Sequence, residues 1–324
     1  MNPFTRRDGL AVAVALSVVG APAARGAATG LVDGERRESL NGVDHWYRVA
    51  GASNRTVPLV IIHGGPGGNT YVYEHIQGPW LERSQTVVYY DQRGGGRSAA
   101  PRDPNDYAMP TLVADLDALI QRLGQGPVNL LGFSFGAELA LEYTLAHPQN
   151  VARLALQSPN GGDYVRMAWA ETYAFAAFAR GEDRARLDRL AREPIASPAA
   201  RLTELWKGVD AAFVDRYHYH RPQVAAQARK LDAESGFQNT GLMNAVMFSD
   251  NRLRGAPLIE RAAAISTPAL VMVGAHDRTT GVDVARDLSA VLGDARFVVF
   301  AESAHFPCYE EPEFYARALG AFLA

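Results

Sequence analysis

At 324 residues, 48% of them apolar, the chain can bury one large core or two modest ones. A net charge of −3, with both signs scattered and no basic run, argues against nucleic acid as a partner. One cysteine, Cys308, excludes an intramolecular disulfide, so apolar burial has to supply the stability.

The N-terminus has the layout of an export signal. In "TRRDGLAVAVALSVVGAPAARGA" the paired Arg6 and Arg7 precede an apolar run from Gly9 to Val19 and then small residues, including Ala-x-Ala at 21–23. The paired arginines resemble the twin-arginine type. The run is shorter than the roughly 20 residues a bilayer crossing needs, although an uncleaved anchor helix is the competing reading. A signal over residues 1–27 implies a periplasmic or secreted protein with no stable membrane association once the signal is removed.

Beyond it, strand and helix patterns alternate. Val57–Ile62, Thr86–Tyr90, Val128–Leu131, Val151–Leu156, Ala269–Val273 and Phe297–Phe300 are short apolar runs expected for strands covered on both faces. Between the second and third, Leu112, Leu116, Leu119, Ile120 and Leu123 form one helical stripe, with Thr111 as the expected N-cap and Gly124 as the stop. "FYARALGAFLA" closes the chain as a helix. This order predicts an α/β fold with a mostly parallel, doubly wound sheet, built from residues 28–160 and 262–324. Residues 161–261 break the rhythm. They are rich in Ala, Arg and aromatics and read as a helical cap.

The chemistry gathers at strand ends. "GFSFG", residues 132–136, sits where an apolar strand turns into an Ala/Leu/Glu-rich helix, the setting of a nucleophile elbow. Gly132 and Gly136 leave room for a tight turn that exposes Ser134, and the helix N-terminus favours developing negative charge. The alternative is a structural turn with an incidental serine. A serine needs an oriented base. "ALVMVGAHD" ends on Asp277 and "FVVFAESAH" on His305, giving the order Ser, Asp, His, with Asp283 and Glu302 as competing acids. "IIHGGPGG", residues 61–68, supplies a close-approaching backbone, so Gly65 and Phe135 are the expected N–H donors to an oxyanion. A phosphate cradle would want Gly-Lys-Ser/Thr, and the lysine is absent. "YHYH", residues 217–220, lacks further ligands at metal spacing, and Cys308 reads as a packing residue. The chemistry needs no cofactor.

"HGGPGG" (63–68), "DQRGGGRS" (91–98), "GFSFG" (132–136), "GAHD" (274–277) and "SAH" (303–305) together resemble an α/β-hydrolase, most closely the proline iminopeptidase group of serine peptidases. The resemblance implies Ser134, Asp277 and His305 as triad, Gly65 and Phe135 as oxyanion donors, and Asp91 and Arg93 as loop-bracing residues. It implies a small substrate with an N-terminal proline or an amino-acid amide. Two positions depart from the family: Phe133 and Phe135 stand where glycine and tryptophan usually flank the serine, and Asn244 stands where a cap glutamate holds the substrate's amine. Asp250, Glu204 and Glu171 are candidate replacements, and Trp169 and Trp206, with Asp250, are the expected pocket residues. The missing glutamate and the apolar cap leave a short ester or a lactone as the alternative substrate. A non-catalytic binding protein on the same scaffold is the alternative of another class.

Overall fold

The computed structural model describes residues 30–161, 164–195, 197–237, 241–249 and 258–324. The signal expected over residues 1–27 lies outside the described residues, as does Asp250.

One eight-stranded sheet organises the described residues, in the order β1-β2-β4-β3-β5-β6-β7-β8. The strands are β1 (Gly34–Leu40), β2 (Val43–Ala50), β3 (Leu59–Ile62), β4 (Val87–Tyr90), β5 (Val128–Phe133), β6 (Val151–Gln157), β7 (Ala269–Gly274) and β8 (Ala295–Phe300). From β4 to β8 all pairings are parallel. β1 and β2 add an antiparallel edge.

That hairpin is absent from the sequence-based expectations, because "GERRESL" and "VDHWYRVA" are not apolar runs. Its turn is Asn41-Gly42, both with positive φ (47° and 80°), the geometry that matches the twist of paired strands. β3, β4 and β7 are buried along their whole length, as strands sandwiched between helices must be. One apolar layer packs the helix Met109–Leu123 and the helix Phe135–Ala146 on one face. A second packs the helices Tyr71–Ile76 and Pro312–Leu323 on the other.

Met109–Leu123 corrects one expectation. Thr111 is not the N-cap, since the helix starts two residues earlier with Ala108 as its cap residue. Pro110 sits in the first turn, where a missing N–H costs no hydrogen bond, so helical geometry extends upstream. Gly124, with φ 63°, does end the helix, and its N–H returns to Ile120 and Gln121.

The chain leaves β3 by helices on one face and leaves β5 by the helix on the other. The loops after β3 and β5 therefore diverge, which opens a crevice beyond the carboxyl ends of these neighbouring strands. Between β6 and β7 the described residues form helices and no strand: Tyr164–Phe178, Gly181–Leu190, Pro198–Trp206, Ala211–His218, Pro222–Ser235, Leu242–Ser249 and Leu258–Ala262. Phe175, Leu190, Leu205, Phe213 and Tyr217 give them a small apolar core of their own.

Candidate active site

Ser134 falls on the single residue between β5 and the helix Phe135–Ala146, with φ 53° and ψ −116°. A non-glycine residue there carries about 1–3 kcal/mol of strain, which surrounding bonds must offset. Its N–H donates to the Gln157 carbonyl (2.9 Å), and its own carbonyl accepts from Ala137 (3.0 Å) and Asn160 (3.2 Å). The helix can pack this close to β3 because residue 136 is glycine. A β-carbon there would lie 2.7 Å from the Ile62 carbonyl carbon. Phe135 is the first helical residue, so its N–H has no intrahelical acceptor.

Asp277 and His305 come from the loops after β7 and β8, and the two side chains meet. His305 Nδ1 lies 3.1 Å from both Asp277 oxygens. The carboxylate also accepts from the Thr279 N–H (2.9 Å), the Thr280 N–H (3.2 Å) and the Thr280 hydroxyl (2.9 Å). Burial alone would raise this carboxyl. The neighbouring imidazole and the threonine donors outweigh burial and hold it well below the usual range. An ionised carboxylate only accepts, so Nδ1 carries the imidazole proton and Nε2 is left with its lone pair. Of the competing acids, Asp283 pairs with Arg286 (2.9 Å) and Glu302 is exposed. The backbone of residue 305 is fixed as well. Its N–H donates to the His218 carbonyl (3.0 Å), and its carbonyl accepts from the Ser158 hydroxyl (3.0 Å).

Glu310, fully buried, ties this loop to the cap. One carboxylate oxygen accepts from the N–H groups of His220 and Arg221, the other from that of Ala304, each at 2.7 Å.

The glycine loop after β3 is braced from the loop after β4. Burial holds the His63 imidazole below its ordinary value and hence neutral. Its Nε2 accepts from the Gln92 N–H (2.9 Å), so Nδ1 donates to the Gly64 carbonyl (2.8 Å). Asp91 accepts from the Thr70 N–H (2.9 Å) and from Arg97 Nε (2.7 Å), joining the two loops a second time. Arg93 points elsewhere and makes a buried two-pronged pair with Asp115 of Met109–Leu123, at 2.5 Å for each bond. Gly65 has φ 129°, and a β-carbon on it would meet the Gly67 nitrogen at 2.6 Å.

Ser134, His305 and the glycine loop border one cavity of about 760 Å³. Ser134, His305, Gly64 and Gly65 form the core-side wall, and Val209, Val214, His218, Ala228 and Asp232 belong to the cap side.

Comparison with known proteins agrees with this fold. Residues 57–312 match the family model described as alpha/beta hydrolase fold. The chain belongs to that family. It is similar to the proline iminopeptidase of Levilactobacillus brevis, 27% identical over 282 residues, spanning 86% of this chain and 92% of the relative. The proline iminopeptidase of Heyndrickxia coagulans is 26% identical over 272 residues, 82% and 90% of the two chains. Among solved structures, a proline iminopeptidase-related protein from Thermus thermophilus superposes with a TM-score of 0.73 at 24% identity, covering 90% of this chain and 98% of the other. An esterase from Exiguobacterium antarcticum gives 0.62 at 21% identity, covering 89% and 98%.

In this α/β-hydrolase the cap residues expected to line the pocket fall in different places. Trp169 is 43% exposed, stacks on Tyr173 and does not border the cavity. Trp206 lies one layer behind the wall, stacked on His218 with centroids 5.8 Å apart. Asn244 is exposed, and Glu204 is half-buried and paired with Lys207.

The cap residues that do border the cavity are all missing from the expected set, His218 and Asp232 among them. Burial, and then the neighbouring His305, push the His218 imidazole down to about 4. The ring is therefore neutral, and its Nδ1 donates to the Val214 carbonyl (3.1 Å). Asp232 presents a carboxylate with no hydrogen-bond or ion-pair partner among the described residues. The signal for both was weak, since "YHYH" and "KLDAES" acquire meaning only once the cap is folded against the core.

Glu171 is a half-buried acid of the cap. It accepts from the Trp206 indole N–H (2.9 Å), and burial raises its carboxyl to about 8 despite that bond. Its unfolded value is near 4.5, so between pH 4.5 and 8 the unfolded chain gives up a proton that the folded one keeps. Stability conferred by the protonated form is full below about 4.5 and falls as pH rises, by about 1.4 kcal/mol per unit. Urea unfolding at pH 5.5 and 7.5 is expected to show Glu171→Gln gaining about 2–3 kcal/mol relative to the native chain over that interval. An equal pH slope in both proteins overturns this assignment.

Proposed function

We propose that this protein is a serine hydrolase working through an acyl-enzyme, with aminopeptidase or amidase activity of the prolyl aminopeptidase kind. The observation that carries the reading is His305, paired with Asp277, opening on the same cavity as a serine held at positive φ. In the proposed cycle His305 Nε2 takes the Ser134 hydroxyl proton, and the oxygen attacks a carbonyl whose own oxygen is received by the Gly65 and Phe135 N–H groups. His305 then hands the proton to the leaving group. Water enters, His305 deprotonates it in turn, and the acyl group is released. Two preorganised N–H donors are worth roughly 3 kcal/mol each at the developing oxyanion. No cofactor takes part in these steps, and an exported location is part of the proposal.

For the substrate, similarity to proline iminopeptidases along nearly the whole described chain favours a free N-terminal amine. In place of the family's cap glutamate, Asp232 gives the cavity a carboxylate suited to an ammonium. Asp232→Asn is expected to raise KM for a prolyl anilide about fivefold relative to that for a short acyl ester, the effect of a partly exposed ion pair. Steady-state kinetics of both substrates on one preparation decide it. Ester hydrolysis with no turnover of the anilide would overturn the aminopeptidase reading in favour of the second one, a carboxylesterase or lactonase. That second reading is favoured by the exposed Asn244 and by the aromatic wall of Phe133, Phe306 and Tyr309.

A further inference from the structure

Beside the catalytic cavity, and meeting it at Asp215, Tyr219 and Arg229, lies a second cleft of about 410 Å³. Its walls carry three guanidinium groups, Arg216, Arg229 and Arg278, against the single carboxylate of Asp215. That carboxylate is bonded to Arg229. Two positive charges are left over, and neither Arg216 nor Arg278 has a carboxylate within ion-pair distance among the described residues.

Arg278 is the more telling of the two. It is half-buried, held 4.4 Å above the Phe178 ring, with Nη1 donating to the Tyr217 carbonyl (3.3 Å). Burial lowers its affinity for its proton by more than the nearby Tyr217, Asp277 and Glu310 restore, the condition of a cation short of counter-charge. A guanidinium has five N–H donors, and its flat fork matches the two oxygens of a carboxylate. The backbone position is equally specific. Arg278 follows Asp277, so their α-carbons are about 3.8 Å apart, and the cleft that holds its fork joins the catalytic cavity along Asp215, Tyr219 and Arg229.

We propose that Arg278, assisted by Arg216, binds the carboxylate of the substrate's leaving group, and that the preferred substrates are short peptides with a free C-terminus. The peptide identity rests on the aminopeptidase reading above; the carboxylate site does not. This site discriminates a free acid from its amide, a difference invisible to anilide substrates.

The test uses prolyl-glycine peptides with one, two or three glycines, each as free acid and as C-terminal amide. At one length or more, the free acid is expected to exceed its amide at least tenfold in kcat/KM, through a lower KM. Arg278→Gln is expected to bring that ratio within twofold, and Arg278→Lys, which keeps the charge but loses the fork, to give an intermediate ratio. Each ratio is measured within one preparation, so incomplete folding cancels. A native ratio within twofold at every length, or one that survives in R278Q, overturns the proposal. If no peptide is cleaved, the aminopeptidase reading has failed, and the acetate esters of glycolic acid and of its methyl ester put the same question to the carboxylate site. If neither pair turns over, protection of the protein from a fluorophosphonate probe by acetylglycine and by acetylglycinamide replaces kinetics. Equal protection by the two counts against the site.

Discussion

Ser134→Ala is expected to lower kcat by about four to six orders of magnitude and to abolish covalent labelling by a fluorophosphonate probe. Knocking out the nucleophile of a serine hydrolase leaves only binding and oxyanion stabilisation, which still exceed the uncatalysed reaction by about 10³–10⁴. The substitution disturbs little else. Alanine keeps the β-carbon, and the bonds that fix the turn run through the backbone, from the residue 134 N–H to Gln157 and from Ala137 and Asn160 to the residue 134 carbonyl. Circular dichroism and the unfolding midpoint should therefore match those of the native protein. A Ser134→Ala protein that is labelled as fast as the native one would remove this serine from the chemistry.

Asp277→Asn is expected to cost about 10⁴ in kcat, about 5.5 kcal/mol of barrier, while changing KM little. The amide oxygen can take the Oδ1 place and keep the backbone N–H donors of Thr279 and Thr280, which leaves the NH₂ group in the Oδ2 place facing His305 Nδ1. Nδ1 must then accept, the ring proton moves to Nε2, and the atom that should take the serine proton is already occupied. Loss of the negative charge also removes what stabilises the imidazolium during reaction. The double variant Ser134→Ala, Asp277→Asn should be no slower than Ser134→Ala alone, because the groups act as one unit. Asp283→Asn and Glu302→Gln, the competing acids, should stay within about threefold of the native rate, as exposed charges that make no bond to Nδ1. Stopped assays over a wide range of enzyme concentration resolve all four. A slow Glu302→Gln beside a fast Asp277→Asn would reverse the assignment of the acid.

Most of the parallel sheet was legible because a strand covered on both faces has to be apolar, and LVII, VVYY and ALVMV admit little else. The elbow was legible for a related reason. A serine in so tight a turn demands small neighbours at 132 and 136, and that demand is written in the chain itself. The edge hairpin announces itself only by its turn, Asn41-Gly42, because its charged strands form no apolar run. Thr111 has the chemistry of a cap but sits inside Met109–Leu123, whose first turn already holds Pro110. The cap resisted reading for a deeper reason. Helical spacing says which residues share a face, but which face meets the core depends on how the helices cross. Trp169 thus ended on the outside, and Asp232 on the cavity.

The carboxylate of Glu310 has a kinetic consequence. It fastens His220 and Arg221 to the stretch beside His305, and the carbonyl of residue 218 holds the histidine's own amide. This stretch of the cap cannot swing away like a hinged door without dragging His305, the proton carrier of the proposed cycle, out of line. In that cycle substrates and products pass some other edge of the roof, so that an open mouth and an aligned histidine coexist through every turnover.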